Sequence, residues 1–371
     1  MTTTARIASL QLHAIRSYPD LRLQLSSGVT VLVGPNGVGK TNLLEACAMV
    51  LSGSSPRTSS ELRLVRHGEQ AGRIAARIVV DDSEQDRDVV LRLGRGKQLR
   101  IDGSPAGGLE QFAAAVPVVT FLPERLLTIR GAPQRRRALL DQLAARLIPT
   151  AAATQRAYTA ALQQRNALLR RAKGGARIDD QLPSWSQQLA EHGTRLREQR
   201  AALLAQLEEP FAHRFEQLTG LTGARFDVEL RGSGDLVSDL AQTAQAELRR
   251  GSTLVGPHLD DLLPRIDGRD VRAFGSAGEQ RAALLAYTLA ASDLLATRLG
   301  LQPVVLLDEP WSELDADRRR RLSAILASLG QVIVTSTEPP SHLAELVPAA
   351  TVLAVSSGAV TEWTSPATTH D

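Results

Sequence analysis

Residues Gly34-Pro35-Asn36-Gly37-Val38-Gly39-Lys40-Thr41 fit the pattern G-x-x-x-x-G-K-[ST], the loop by which a strand hands over to a helix around a phosphate chain. The flanks agree with that setting. Val29 to Val33 reads as a buried strand, and Leu43, Leu44, Cys47, Val50 and Leu51 fall on one face of the helix that follows. Glycines let successive N–H groups turn inward on the phosphates, and the helix adds its positive dipole end. Lys40 is expected to reach the β- and γ-phosphates and Thr41 to place its hydroxyl on Mg²⁺. A nucleoside triphosphate with its magnesium ion is thus the first ligand to expect.

The lysine is telling in a chain with forty arginines and three lysines, Lys40, Lys97 and Lys173. Where a solvated cation suffices this composition uses arginine, so Lys40 points to a need for a compact ammonium on a thin stem. The single cysteine, Cys47, excludes an internal disulfide and fits a reducing compartment, and its place on the apolar helix face makes it a core thiol. The first residues lack the continuous apolar stretch of a secretory signal, and no run approaches the roughly 20 apolar residues that span a bilayer. A cytoplasmic protein with no membrane partner is expected. A net charge of +3 says little about nucleic acid, so the distribution of charge must decide.

Arg6 to Leu12, Leu21 to Leu25, Arg73 to Val80, Val89 to Leu93 and Gln98 to Ile101 alternate as short strands, predicting an antiparallel β layer beside the loop. From Pro133 to about Leu218 the chain is rich in Ala, Leu, Gln and Arg at helical spacing, with a reversal near Gly174-Gly175 and Pro183, which predicts a helical hairpin arm. Alternation returns at Arg225 to Arg231. Val304 to Leu307 then reads as a buried parallel strand that ends in Asp308 and Glu309, with Val332 to Val334 as its neighbour. The fold class is therefore α/β, an ATPase head split by an insert: residues 1–132 and 219–371 form the head and 133–218 the arm.

Asp308 is expected beside the strand feeding the phosphate loop, as a magnesium partner, with Glu309 placed to polarise the attacking water. Ser276-Ala277-Gly278-Glu279-Gln280 opens a helix. A serine hydroxyl, free N–H groups and the helix dipole make an anion site, although Ser-x-Gly is also an ordinary helix cap. Ser312-Glu313-Leu314-Asp315 follows the acids. Thr335-Ser336-Thr337 either supplies a hydroxyl that senses the γ-phosphate or is a plain strand end, and Arg16 and Tyr18 either meet the nucleotide or, for Tyr18, pack in the core. His258 has no partners that would make it a metal ligand.

The segments around Ser276 and Asp315 resemble the signature and D-loop of ABC-type ATPases. More closely, the whole chain resembles the RecF family of SMC-like ATPases. Ile15-Arg16-Ser17-Tyr18, Phe121-Leu122-Pro123-Glu124, Gly131-x-Pro133-x-x-Arg136-Arg137, Tyr158 with Gln164-Arg165-Asn166, Trp185 with Gln188-Leu189-Ala190, and above all Gly256-Pro257-His258-x-Asp260-Asp261 carry that likeness. It departs at Ser276-Ala277-Gly278-Glu279-Gln280 and at Asp308-Glu309-Pro310, where RecF proteins usually carry Ser-Gln-Gly-Gln-Gln and two aspartates.

What the resemblance implies is an ABC-type head whose ATP lies between two copies, the phosphate loop of one facing Ser276, Gly278 and Glu279 of the other, with Asp315 in the D-loop. It further implies a weak, DNA-stimulated ATPase that binds double-stranded DNA near gap junctions and works with RecR and RecO in loading RecA. Between Arg135 and Arg200 thirteen Arg or Lys face five acids, an excess that would release counterions from a duplex; a solvated helix face is the plain alternative. Two rival functions share the loop: an ATPase subunit of a membrane transporter, which the long basic insert disfavours, and a scaffold that holds ATP without hydrolysing it.

Overall fold

The computed structural model describes residues 3–58, 60–175, 181–340 and 342–363. Two compact units emerge: Met1–Pro123, Gln217–Gly220 and Leu284–Asp371 form the first, Glu124–Glu216 and Leu221–Ala283 the second. The boundaries expected at 132 and 218 differ from these, because residues 221–283 pack with the arm rather than with the head.

The first unit begins with β1 (Thr3–Ile15), β2 (Tyr18–Gln24) and β3 (Val29–Val33), then α1 (Lys40–Ser52). It continues through β4 (Ala71–Val80), β5 (Ser83–Arg92), β6 (Gly96–Ile101), β7 (Ser104–Pro105), α2 (Leu109–Ala114) and β8 (Val118–Phe121). β1 pairs with β2 and β4, and β4 to β7 follow as a meander, which is the antiparallel layer expected. In β4 the pleat buries Ile74, Ala76 and Ile78 and exposes Arg73 and Arg77. α1 departs from the one-faced pattern. Every residue from Leu43 to Ser52 is buried, because strands of this layer and of a parallel sheet share one core with it. A helix covered all round needs apolar or paired residues on every face.

The second unit opens with α3 (Leu126–Arg130) and α4 (Pro133–Leu147), then α5 (Ala151–Lys173) and α6 (Leu182–Thr219). The arm is therefore three helices instead of a simple hairpin. Pro149 makes the break: the preceding Ile148 is pushed to φ −117°, ψ 109°, out of the helical region. The reversal expected between Lys173 and Pro183 falls partly on residues 176–180, outside the described residues. β9 (Ala224–Glu229), α7 (Leu236–Arg250), β10 (Asp261–Ile266), β11 (Arg269–Asp270) and α8 (Val271–Phe274) complete the unit, the three strands forming a small antiparallel sheet.

α9 (Ala277–Leu299) leads back into the first unit, followed by β12 (Leu301–Gln302), β13 (Val304–Leu307), α10 (Ala316–Ala327), β14 (Val332–Ser336), α11 (Leu343–Leu346), β15 (Thr351–Ser356) and β16 (Ala359–Glu362). Among the described residues α9 alone is long and apolar enough to cross a bilayer, and 67% of that stretch is buried in the protein; packing accounts for its apolarity. The second sheet runs β16-β15-β3-β14-β13-β8, parallel throughout except for β15 and β16. One expectation is corrected here. The strand that ends at Asp308 is not the neighbour of the phosphate-loop strand, since β14 lies between β13 and β3.

Candidate functional site

The phosphate loop joins β3 to α1 as expected. Gly39 closes it with φ 114°, and a Cβ there would sit 2.9 Å from the Tyr18 hydroxyl, so both conformation and space demand glycine. At Gly37, also left-handed, a Cβ would meet nothing within 4 Å: the hollow of the loop is open. Lys40 is only 5% exposed. Its Nζ donates to the carbonyl oxygens of Gly34 and Pro35 at 2.6 and 3.1 Å and lies 3.1 Å from Glu309 Oε1.

Tyr18, fully buried, donates its hydroxyl to the Gly39 carbonyl at 3.1 Å, which settles it as a core residue that holds the loop from beneath. Burial also raises its pKa. Ser17 accepts from Asn42 at 3.2 Å, a brace that the sequence named only as part of the family likeness. Arg16 points to Glu45 on α1, 3.3 Å away. Cys47 is the core thiol expected, its pKa pushed up to about 12 by burial.

Although β14 separates them, the two halves of the parallel sheet bring Thr41 and Asp308 together. The Thr41 hydroxyl lies 3.0 and 2.9 Å from the two carboxylate oxygens of Asp308. Thr335, at the end of β14, donates to Asp308 at 2.5 Å and accepts the Glu309 N–H at 2.9 Å. The hydroxyl weighed as a plain strand end is thus wired to both acids. Glu309 itself stands at φ 49°, a left-handed conformation that costs a non-glycine residue energy and gathers at functional sites. A hydroxyl and a carboxylate side by side are hard oxygen donors of the kind Mg²⁺ takes. Among the described residues no group of three His, Cys, Asp or Glu holds a metal alone, so phosphate and water oxygens would complete such a site.

The other predicted residues are placed as follows. Ser276 caps α9: its hydroxyl accepts the Glu279 N–H at 3.2 Å while the Glu279 carboxylate accepts the Ser276 N–H at 2.7 Å, a reciprocal capping box. Gly278 lies in that first turn, and Gln280 is buried, donating to the carbonyls of Val271 and Gly275 at 3.0 and 3.1 Å. Asp315 caps α10, accepting from the Arg318 N–H at 2.9 Å. Ser276 to Glu279 belong to the second compact unit and Asp315 to the first.

In the arm, four of the thirteen cations are held in internal ion pairs. Arg136 makes a two-pronged pair with Asp261 at 2.8 and 2.7 Å, Arg197 with Asp260 at 2.8 and 2.8 Å, and Arg200 with Asp141 at 2.8 and 2.8 Å. Arg165 meets Glu247 at 2.6 Å, both fully buried, and also donates to Thr253 and Ser186. Three of these carboxylates come from beyond residue 200, which a window on the arm misses. The distinctive Gly-Pro-His segment is structural as well. His258 Nδ1 lies 2.6 Å from the Tyr158 hydroxyl, and burial lowers its pKa to about 4, so it is a neutral packed imidazole.

The chain matches the RecF/RecN/SMC N terminal domain family over residues 6–353. It is 35% identical over 348 residues to the DNA replication and repair protein RecF of Acidothermus cellulolyticus, covering 89% of this chain and 93% of that one. To the proteins of the same description from Myxococcus xanthus and Streptomyces avermitilis it is 34% and 36% identical, with 90% and 89% of this chain covered and 91% and 93% of theirs. A solved structure of the recombination mediator protein RecF with ATP, described in the RecFOR pathway, superposes with a TM-score of 0.84 at 24% identity, covering 98% of this chain and 99% of that one. The Smc head domain of Pyrococcus furiosus gives 0.58 at 17% identity over 96% and 95%. These two likenesses speak for the fold, an SMC-like ABC-type ATPase head. With the sequence relatives alongside, the chain belongs to the RecF family.

Proposed function

We propose that this protein is an ATP-dependent, DNA-binding ATPase of recombinational and replication-gap repair, acting in the cytoplasm. One observation carries the nucleotide part of this reading: Lys40, Thr41, Asp308, Glu309 and Thr335, from three separate strand ends, converge within hydrogen-bonding distance. ATP would draw Lys40 Nζ from the Gly34 and Pro35 carbonyls, and inward-facing loop N–H groups would take the phosphate oxygens. Mg²⁺, when bound, neutralises charge on those oxygens, and Thr41 and Asp308 would hold it. Release of the Lys40 contact frees the Glu309 carboxylate to orient the attacking water, with Thr335 fixing its backbone.

Only one phosphate loop occurs in the chain, so a second copy is proposed to complete each site with Ser276, Gly278, Glu279 and Asp315. The capping box presents the α9 N-terminus ready-made, but the Glu279 carboxylate occupies it, and an incoming γ-phosphate must displace that anion. Hydrolysis, expected to be slow and DNA-stimulated, would release the pair. The relatives' description as DNA replication and repair proteins supports double-stranded DNA as the substrate of the ATP-held dimer, with gap junctions preferred and RecO and RecR as partners in loading RecA.

The test is dimerisation and duplex binding by light scattering and fluorescence anisotropy, with ATP, with ADP and without nucleotide. Lys40→Met should abolish the ATP-dependent dimer. Glu309→Gln should bind ATP, turn over at least about 100-fold more slowly and dissociate more slowly. An unchanged dimer lifetime in Glu309→Gln would show that ATP is a structural clamp and sink the hydrolytic cycle.

A further inference from the structure

Among the exposed cations of the second unit, five gather where two helices end together. α5 ends in Arg170, Arg171 and Lys173, and α7 ends in Arg249 and Arg250, all exposed. The helices run side by side in the same sense: Leu236 at the start of α7 lies against Gly193 near Tyr158, while Glu247 and Thr253 at its end bind Arg165 and Asn166. Gly251, directly after Arg250, abuts the end of α5. A Cβ built there would lie 3.3 Å from Lys173 Cδ and 3.7 Å from Arg170 Cα. Two helix C-termini more than 70 residues apart in sequence are thus locked together by a buried ion pair, and their five exposed cations cluster at the adjoining ends.

No carboxylate among the described residues pairs with any of the five; Glu247, the acid nearest in sequence to Arg249 and Arg250, is fully buried on Arg165, and Asp179 and Asp180, which follow Lys173, lie outside the described residues. Cations at a helix C-terminus answer its partial negative charge. One or two per helix suffice for that, and those effects fade within a turn. An acidic protein partner is expected to need an apolar anchor at the centre of its contact. The large exposed hydrophobics of this unit, among them Val228, Leu230, Val237 and Phe274, lie on other elements or at the opposite end of α7. A wholly cationic, non-apolar patch on rigid helix ends suits a regular line of phosphates.

The geometry points to the joined ends of α5 and α7 as the surface that grips the phosphate backbone of duplex DNA, through Arg170, Arg171, Lys173, Arg249 and Arg250. This rests on the proposed DNA reading and adds to it where the duplex is held. The contact is sequence-independent and electrostatic, so each cation contributes about one counterion to the salt dependence.

The experiment measures the affinity of ATP-bound protein for a 30-base-pair duplex by anisotropy over a range of salt. R170A/R171A/K173A should lower the slope of log affinity against log salt by about 3 and R249A/R250A by about 2, each weakening binding about tenfold or more at moderate salt. R92A/R95A/R100A, which removes three exposed cations from the β layer of the first unit, should leave the slope unchanged. Circular-dichroism melting and nucleotide binding should match the wild type in all three. Wild-type slopes in the helix-end variants, or an equal fall in the β-layer control, overturn the assignment while leaving duplex binding intact. A wild-type protein that binds no duplex under any nucleotide overturns the DNA reading, and the assignment with it.

Discussion

Thr335 sits where three strand ends meet, and its single hydroxyl serves two masters. It donates to Asp308 and accepts from the Glu309 N–H, so it couples the orientation of one acid to the backbone of the next. Thr335→Val keeps the shape but deletes both bonds, leaving a buried N–H without its acceptor at a cost of about 1–3 kcal/mol. Single-turnover measurements should show hydrolysis slowed about 10- to 100-fold, with ATP affinity changed less than about threefold and Thr335→Ser restoring the rate. Loss of ATP binding instead would mean that the hydroxyl supports the loop and not the acids. The loop residues were legible in the sequence because spacing alone dictates their roles. Thr335 was only half legible: a hydroxyl at a strand end gains meaning when the strand beside it is known. Tyr18 was ambiguous for a similar reason, since an aromatic next to a loop reads alike whether it faces ligand or core.

At the scale of elements, the arm is held by charge as much as by apolar packing. Arg165 and Glu247 are both fully buried, and removing one partner strands the other in a low-dielectric interior. Arg165→Met is expected to destabilise the second unit by about 3–5 kcal/mol in urea unfolding. Arg165→Met/Glu247→Leu should recover much of that, and a double variant as unstable as the single would locate the loss in the bonds to Thr253 and Ser186. These pairs also explain a failure of sequence reading. A local count of charge treats each arginine as solvated, yet Asp260, Asp261 and Glu247 arrive from a segment that sequence pattern assigned to the head. The helices themselves were legible from their spacing, and the break at Pro149 was available in the residues but hidden by the continuous periodicity on either side. Likewise α1 showed one apolar face in sequence and proved buried all round, because Ala46, Ala48 and Met49 on its other side join the same core.

For the molecule as a whole, pH offers a test of the packed arm. His258 has a pKa of about 4 when folded against an ordinary 6.5, chiefly through burial, with Arg137 opposing and Asp260 and Glu247 favouring its charge. The unfolded chain therefore binds the proton first. Stability from this residue is complete above about pH 6.5 and declines as pH falls from there towards 4, by on the order of 3 kcal/mol. Melting curves for wild type and His258→Gln should converge in slope only above pH 6.5, and an identical acid limb in both would remove His258 from the account.

Many strands of the first unit were legible, although Val118–Phe121, Thr351–Ser356 and Ala359–Glu362 were not picked out, and strand order was not legible at all. Hydrophobic runs mark Val29–Val33, Val304–Leu307 and Val332–Ser336 equally, and nothing in them says that the last lies between the other two. That order has a consequence for how the protein is made. Among the described residues β3 pairs only with β14 and β15, so the strand feeding the phosphate loop leaves the ribosome with neither flank present. At roughly 5–20 residues per second it waits roughly a quarter of a minute or longer for its first neighbour. A nascent chain halted before Val332 would carry the complete loop sequence and still lack the scaffold that shapes it, so competence for nucleotide arrives only with the final stretch of translation.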